Sequence, residues 1–230
     1  MFRLPKSSYN RPFIVTFRNL RICAGLYSTL FLIVVPPRRV SNADFCFHFD
    51  NWPRLVGTRK HVLVRSRDTQ KLGHGQSEGI RAHINTFDKF VEDAFYHIDL
   101  IRVKYPELDC FICGHSMGGA ISILAALKKP TYFKGVVLIG PAIATNPEVT
   151  TPWKEIQKRI PSITFPFVIF QGEDDKLCAP EGAVLMYEKA VSEDKAIKIY
   201  PNAFHNLLNE PNGVAETVTK EILHWLCARS

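Results

Sequence analysis

Gly114-His115-Ser116-Met117-Gly118-Gly119 is the stretch on which the reading of this chain turns. It is a G-x-S-x-G pentad between an apolar run, Leu108 through Cys113, and a run of small and apolar residues, Gly119 through Ile123. The first run predicts a buried strand and the second a closely packed helix. A serine at such a strand-to-helix turn stands with its hydroxyl projecting, because glycine on either side lets the backbone pass closely. The amide of Met117, at the helix start, then points toward a developing oxyanion with help from the helix N-terminus. His115 reads as a shaper of the turn. The pentad recurs by chance in many chains, so its partners downstream decide whether Ser116 is a nucleophile.

A serine hydroxyl needs a base to take its proton, and the base needs an acid to hold its tautomer. Both follow in the order the turn requires. Phe165 through Phe170 reads as a buried strand, and it ends in the polar turn Gln171-Gly172-Glu173-Asp174-Asp175-Lys176-Leu177. Asp175 is the expected acid, with Asp174 the alternative, one residue earlier and suited to shaping the turn. A second strand, Ala196 through Tyr200, leads into Pro201-Asn202-Ala203-Phe204-His205-Asn206. That places His205, the expected base, just beyond a strand end; the competing reading is a surface loop histidine. The implied chemistry is acyl transfer through Ser116, with no cofactor.

Three blocks carry a family resemblance: Leu72-Gly73-His74-Gly75-Gln76-Ser77-Glu78-Gly79, the segment Gly114 to Ala120, and Gly140-Pro141-Ala142-Ile143-Ala144-Thr145-Asn146-Pro147-Glu148. Over roughly Leu72 to Trp225 the chain resembles the monoacylglycerol lipase group of the α/β-hydrolase fold, also described as serine aminopeptidase or hydrolase 4 domains. The resemblance implies a mostly parallel central sheet flanked by helices. It puts Ser116 on the nucleophile, Asp175 on the acid and His205 on the base. Cys178 falls on a cysteine that lies near the active site in that group, which makes it a candidate lining residue. Monoacylglycerol, split into glycerol and free fatty acid, is the implied substrate.

Two departures from the family pattern bear on activity. The best match for the apolar strand that precedes a His-Gly oxyanion loop is Thr29 through Val35, and it runs into Pro36-Pro37-Arg38-Arg39. Proline has no amide to offer. Loss of one oxyanion donor costs about 100- to 1000-fold in turnover, so the expectation is a weakened oxyanion hole unless an amide from Ser41 to Ala43 replaces it. The second departure is the cap, reduced to a short segment at residues 147–162, where Thr151 through Ile160 predicts one short helix carrying Trp153, Ile156 and Ile160 on one face. That helix either shades the pocket or only joins the two halves of the sheet.

The remaining helices are expected at His83 to Tyr105, Met117 to Lys129, Glu181 to Ser192 and Gly213 to Ala228. With 230 residues, 46% of them hydrophobic, the chain can bury one α/β core, though it is short for this fold. Its organisation reads as a basic leader at 1–43 and a hydrolase domain at 44–230. The formal charge of +7 sits in that leader, where seven Lys or Arg meet no acid, while the rest of the chain balances. A body without net positive charge lacks the footprint for nucleic acid. The leader itself admits three readings: a signal-like apolar run from Ile22 to Val35, an Arg-rich organellar presequence, or a core strand from Leu30 to Val35 with solvated charges. Any of them allows peripheral contact with anionic lipid. Between Phe45 and Asp68 only His61 through Val64 suggests a strand.

The six cysteines make no disulfide framework at this length, and Cys110 and Cys113 should face opposite sides of the elbow strand as free thiols. That usage fits reduced cytoplasm. Eight histidines include no H-E-x-x-H, so no metal is expected, and His74 reads as loop packing. The competing functional class is a catalytically impaired hydrolase fold that binds lipid or protein.

Overall fold

The computed structural model describes residues 13–22, 26–35, 63–65, 87–104, 106, 109–143 and 152–230. A seven-stranded sheet runs through them, built from β1 (Phe13–Ile22), β2 (Leu26–Val35), β3 (Leu63–Arg65), β4 (Asp109–His115), β5 (Gly135–Ile139), β6 (Phe167–Gly172) and β7 (Lys195–Tyr200). The spatial order is β3-β1-β2-β4-β5-β6-β7. From β4 to β7 every pairing is parallel. The helices are α1 (Phe87–Lys104), α2 (Met117–Lys128), α3 (Pro152–Arg159), α4 (Pro180–Lys189) and α5 (Val214–Cys227).

Strands covered on both faces must be apolar at every position, and β4, β5 and β6 largely are. Alternation divides each between two cores. Cys110, Ile112, Val136, Leu138, Phe167 and Ile169 pack with α1 and α2, while Phe111, Cys113, Val137, Ile139, Val168 and Phe170 pack with α5. Cys110 and Cys113 are therefore free, buried and on opposite faces. Helix α2 is buried almost all round, and its Ala120, Ala125 and Ala126 let it lie close under the sheet. Helix α5 is amphipathic and seats Val218, Ile222, Trp225 and Leu226 in the second core. β7 is the last strand of the parallel run, and its Lys195 and Lys198 suit an edge that must not recruit another strand.

The observed elements shift modestly from the expected ones. The elbow strand continues two residues past Cys113 to His115. Helix α4 ends at Lys189, because Ala190 turns to extended backbone and its carbonyl accepts a hydrogen bond from Lys195 Nζ at 2.6 Å.

The direction of β2 bears on catalysis. β2 pairs antiparallel with β4, setting Thr29 opposite His115 and Val35 opposite Asp109. Val35, the last residue of β2, thus lies at the opposite end of β4 from Ser116, and Pro36 to Arg39 lie outside the described residues. Ser41 to Ala43, the loop Leu72 to Gly79 and the stretch 44–60 lie outside the described residues.

Candidate active site

Ser116 joins β4 to α2 with φ 58° and ψ −123°, a conformation that side-chain-bearing residues adopt only under constraint. The constraint is visible in the backbone. The carbonyl of Ser116 accepts hydrogen bonds from the amides of Gly119 (2.9 Å), Ala120 (3.4 Å) and Ala142 (3.0 Å), while its own amide donates to Ile139 O at 3.1 Å. A β-carbon on Gly114 would collide with the backbone of Gly118, so the first glycine of the pentad is required by close approach. Met117 is the first residue of α2, and its N–H belongs to the first-turn donors that no carbonyl within the helix can accept.

The acid loop follows β6. Asp175 is buried, and its Oδ1 accepts the amides of Leu177 and Cys178, both at 2.9 Å. Its Oδ2 meets His205 Nδ1 at 2.8 Å and Gln171 Nε2 at 3.0 Å. Burial works against the charge on Asp175, but the hydrogen bond from His205 and the amides of Cys178 and Leu177 outweigh it, holding the carboxyl below its ordinary range. Asp174 serves the backbone instead. Its amide donates to Ala203 O at 3.0 Å, tying the acid loop to the loop that carries His205.

His205 follows β7. The amide before it, on Phe204, donates to Glu210 Oε1 at 2.9 Å, and His115 donates from Nε2 to the His205 carbonyl at 3.2 Å, its ring 4.7 Å from that of His205. With Nδ1 hydrogen-bonded to a carboxylate, the neutral imidazole presents its lone pair at Nε2. That atom is buried and has no hydrogen-bond partner among the described residues. Ser116 Oγ lies instead 4.0 Å from Cys178 Sγ. Cys178 is buried, and burial together with the charge of Asp175 pushes its thiol up to about 12.

The structure thus gathers Ser116, Met117, His115, Asp175, Cys178 and His205 at the C-terminal ends of β4, β6 and β7. Sequence reasoning missed two contributors, Gln171 and Gly140. Gln171 carried a readable signal, as the one amide on the face of β6 shared by Phe167 and Ile169. Gly140, which lies against the His205 ring, carried none beyond being a glycine after a strand. Among the described residues no group of His, Cys, Asp or Glu could hold a metal ion, and no helix is long and apolar enough to cross a membrane.

A parallel sheet that presents a strained serine at the end of one strand and an Asp–His pair at the ends of two later ones defines an α/β-hydrolase. Sequence comparison narrows this further. The pattern described as serine aminopeptidase, S33, matches residues 68–158 and 152–212, and the chain belongs to that family. It is 33% identical over 227 residues to monoglyceride lipase of Homo sapiens, spanning 74% of each chain. To monoglyceride lipase of Rattus norvegicus it is 31% identical over 244 residues, covering 81% of this chain and 80% of the relative. Solved structures share the fold. The monoacylglycerol lipase of Paleococcus ferrophilus superposes with a TM-score of 0.58 at 23% identity, covering 69% of this chain and 81% of that one. A soluble variant of monoglyceride lipase from Saccharomyces cerevisiae, in complex with a substrate analog, gives 0.55 at 20% identity, with coverage of 68% and 73%.

Proposed function

We propose that this chain is a serine hydrolase that cleaves monoacylglycerol to glycerol and free fatty acid, with Ser116 as nucleophile, His205 as base and Asp175 as the acid that orients it. The observation that carries the reading is the 2.8 Å contact of His205 Nδ1 with a buried Asp175 carboxylate, beside a serine at φ 58°. The names of the relatives supply the substrate class.

The steps follow from the geometry. Nε2 of neutral His205 takes the Ser116 proton as Oγ bonds to the ester carbonyl carbon. Asp175 stabilises the imidazolium, and the carbonyl oxygen, now negative, is met by the Met117 amide. Collapse expels glycerol, which receives the proton from His205 and leaves an acyl-serine. Water then adds by the same route and frees the acid. The amide of α2 sits where a helix N-terminus adds its partial positive charge. The Ser116 to His205 hydrogen bond closes in the loaded site, since such contacts are commonly loose without substrate.

The basic, acid-free stretch 1–43 supports peripheral contact with anionic lipid, where such a substrate resides. The test is fluorophosphonate labelling of the purified protein beside Ser116→Ala, with fatty acid release from a monoacylglycerol followed in parallel. Labelling at Ser116 with turnover is expected. A folded protein that neither labels nor releases fatty acid overturns the reading.

A further inference from the structure

Gln171 is the fifth of six residues in β6, and every one of the six is buried. By alternation it shares a face with Phe167 and Ile169, both in the apolar core beneath α2. An amide there is costly unless its polar atoms are used, and only half of it is satisfied. Oε1 has no hydrogen-bond partner among the described residues. Nε2 faces three acceptors: Asp175 Oδ2 at 3.0 Å, Cys178 O at 3.1 Å and Gly172 O at 3.2 Å. Those acceptors fix the orientation of the amide, since the flipped form would set Oε1 against two carbonyls and a carboxylate. Methionine would fill the same volume with no orphaned oxygen. What distinguishes glutamine at this place is therefore the work of its two N–H groups.

The Asp175 carboxylate has about four acceptor directions. Oδ1 spends its two on Leu177 and Cys178, within the acid loop itself. Oδ2 takes His205 and Gln171. Among the described residues Gln171 is thus the one donor that ties the carboxylate to a strand rather than to a loop, and through Cys178 O it ties down the far side of the same loop.

Resting on the serine hydrolase reading above, we propose that Gln171 is a positioning residue that holds the Asp175 carboxylate in plane for His205. It touches neither substrate nor serine, so its loss lowers kcat and leaves KM nearly unchanged. The proton shared by His205 Nδ1 and Asp175 Oδ2 reports the same alignment directly, as a downfield proton resonance that exists whether or not the protein turns over.

The test compares the full chain with Gln171→Met, Gln171→Leu and Gln171→His, by short-chain ester kinetics and by that resonance. Gln171→Met is expected to lose about tenfold in kcat with KM within about twofold, as for loss of one hydrogen bond to a charged group, and to broaden or lose the resonance. Gln171→His, which restores an N–H donor, recovers both. Should Gln171→Met fail to fold, Gln171→Leu carries the test, because it removes the donor with a second apolar side chain. A folded Met or Leu variant with a wild-type resonance overturns the proposal, whatever its kcat. A wild-type protein without turnover, whose resonance still depends on Gln171, overturns the esterase reading and leaves the positioning role in place.

Discussion

Gly140 abuts the ring of His205: a β-carbon built on it would lie 3.2 Å from His205 Nδ1 and 3.1 Å from the His205 carbonyl, with Asp175 Oδ2 at 3.3 Å. Gly140 also holds φ 47°, and its amide is fixed to Phe170 O at 2.8 Å, so it cannot retreat. Alanine here meets two penalties. Left-handed backbone costs about 1–2 kcal/mol for a residue with a β-carbon. The methyl must also displace the Asp–His pair by a few tenths of an ångström. For Gly140→Ala we expect a melting temperature lower by about 2–8 °C and a kcat lower by up to about a hundredfold, since catalytic geometry tolerates less displacement than stability does. Thermal unfolding beside ester turnover separates the two. Unchanged kcat in a protein that melts a few degrees lower would show that the pair does not depend on this contact.

The depressed carboxyl of Asp175 has a consequence for stability against pH. Its folded form binds the proton less readily than the unfolded chain, whose Asp titrates near about 3.9, so its contribution is fully present above that value and is lost as pH falls through the folded pKa. Asp175→Asn removes that dependence. We expect the wild-type protein to lose more stability between about pH 5 and about pH 3 than Asp175→Asn does, by urea unfolding at each pH. Turnover by the same variant should fall by about four orders of magnitude, because the amide no longer holds the Nδ1–H tautomer. Parallel pH dependences in the two proteins would show that other carboxylates govern acid unfolding.

Cys178 sits 4.0 Å from Ser116 Oγ, yet burial raises its thiol to about 12. Near neutral pH the thiol form then prevails, and the thiolate is the form that reacts. Nearness to the nucleophile does not make this cysteine a nucleophile. We expect iodoacetamide to label the half-buried Cys227 well before Cys178, read by mass spectrometry of peptides over time. Rapid labelling of Cys178 in the folded protein would show that its surroundings open to solvent more often than this packing allows.

The parts of the site that were legible in the sequence are those where strand, turn and chemistry coincide. β4, β6 and β7 announce themselves as apolar runs, and each ends in a polar or glycine-rich turn that holds Ser116, Asp175 or His205. Asp175 was already preferred to Asp174 from the sequence, but what separates two adjacent carboxylates in one turn shows only in the coordinates, where Oδ1 takes the amides of Leu177 and Cys178. Direction was equally silent. An apolar run such as Thr29 through Val35 reads the same parallel or antiparallel, and its antiparallel register showed only once Val35 was paired with Asp109. β1 was hidden among the cations of a segment that also resembles a leader. Gln171 reads as a turn residue although its amide points into a core, which sequence alone reports only through the strand's alternation.

Acyl chain length is the property on which the placement of α3 bears. This helix lies in the segment between β5 and β6, where the family's cap would be, and its apolar side is committed to the body of the domain. Ile156 is fully buried in the core beneath α2, Trp153 meets Phe87 edge-on at 5.3 Å between ring centroids, and Gln157 donates to Ile143 O at 3.0 Å. Lys154, Glu155 and Lys158 face outward. A helix so oriented turns Ile156 and much of Trp153 into the domain and leaves little apolar side to lay over a lipid tail. Each methylene left in water forgoes about 0.8 kcal/mol of burial, which is roughly a fourfold factor in kcat/KM. We therefore expect kcat/KM for monoacylglycerols, compared below their aggregation limits, to level off at short acyl chains, with octanoyl esters cleaved at least as well as oleoyl ones. A rise that continues at about fourfold per methylene toward the long chains would mean that the tail is roofed by some other part of the chain, and the committed face of α3 would then be irrelevant to selectivity.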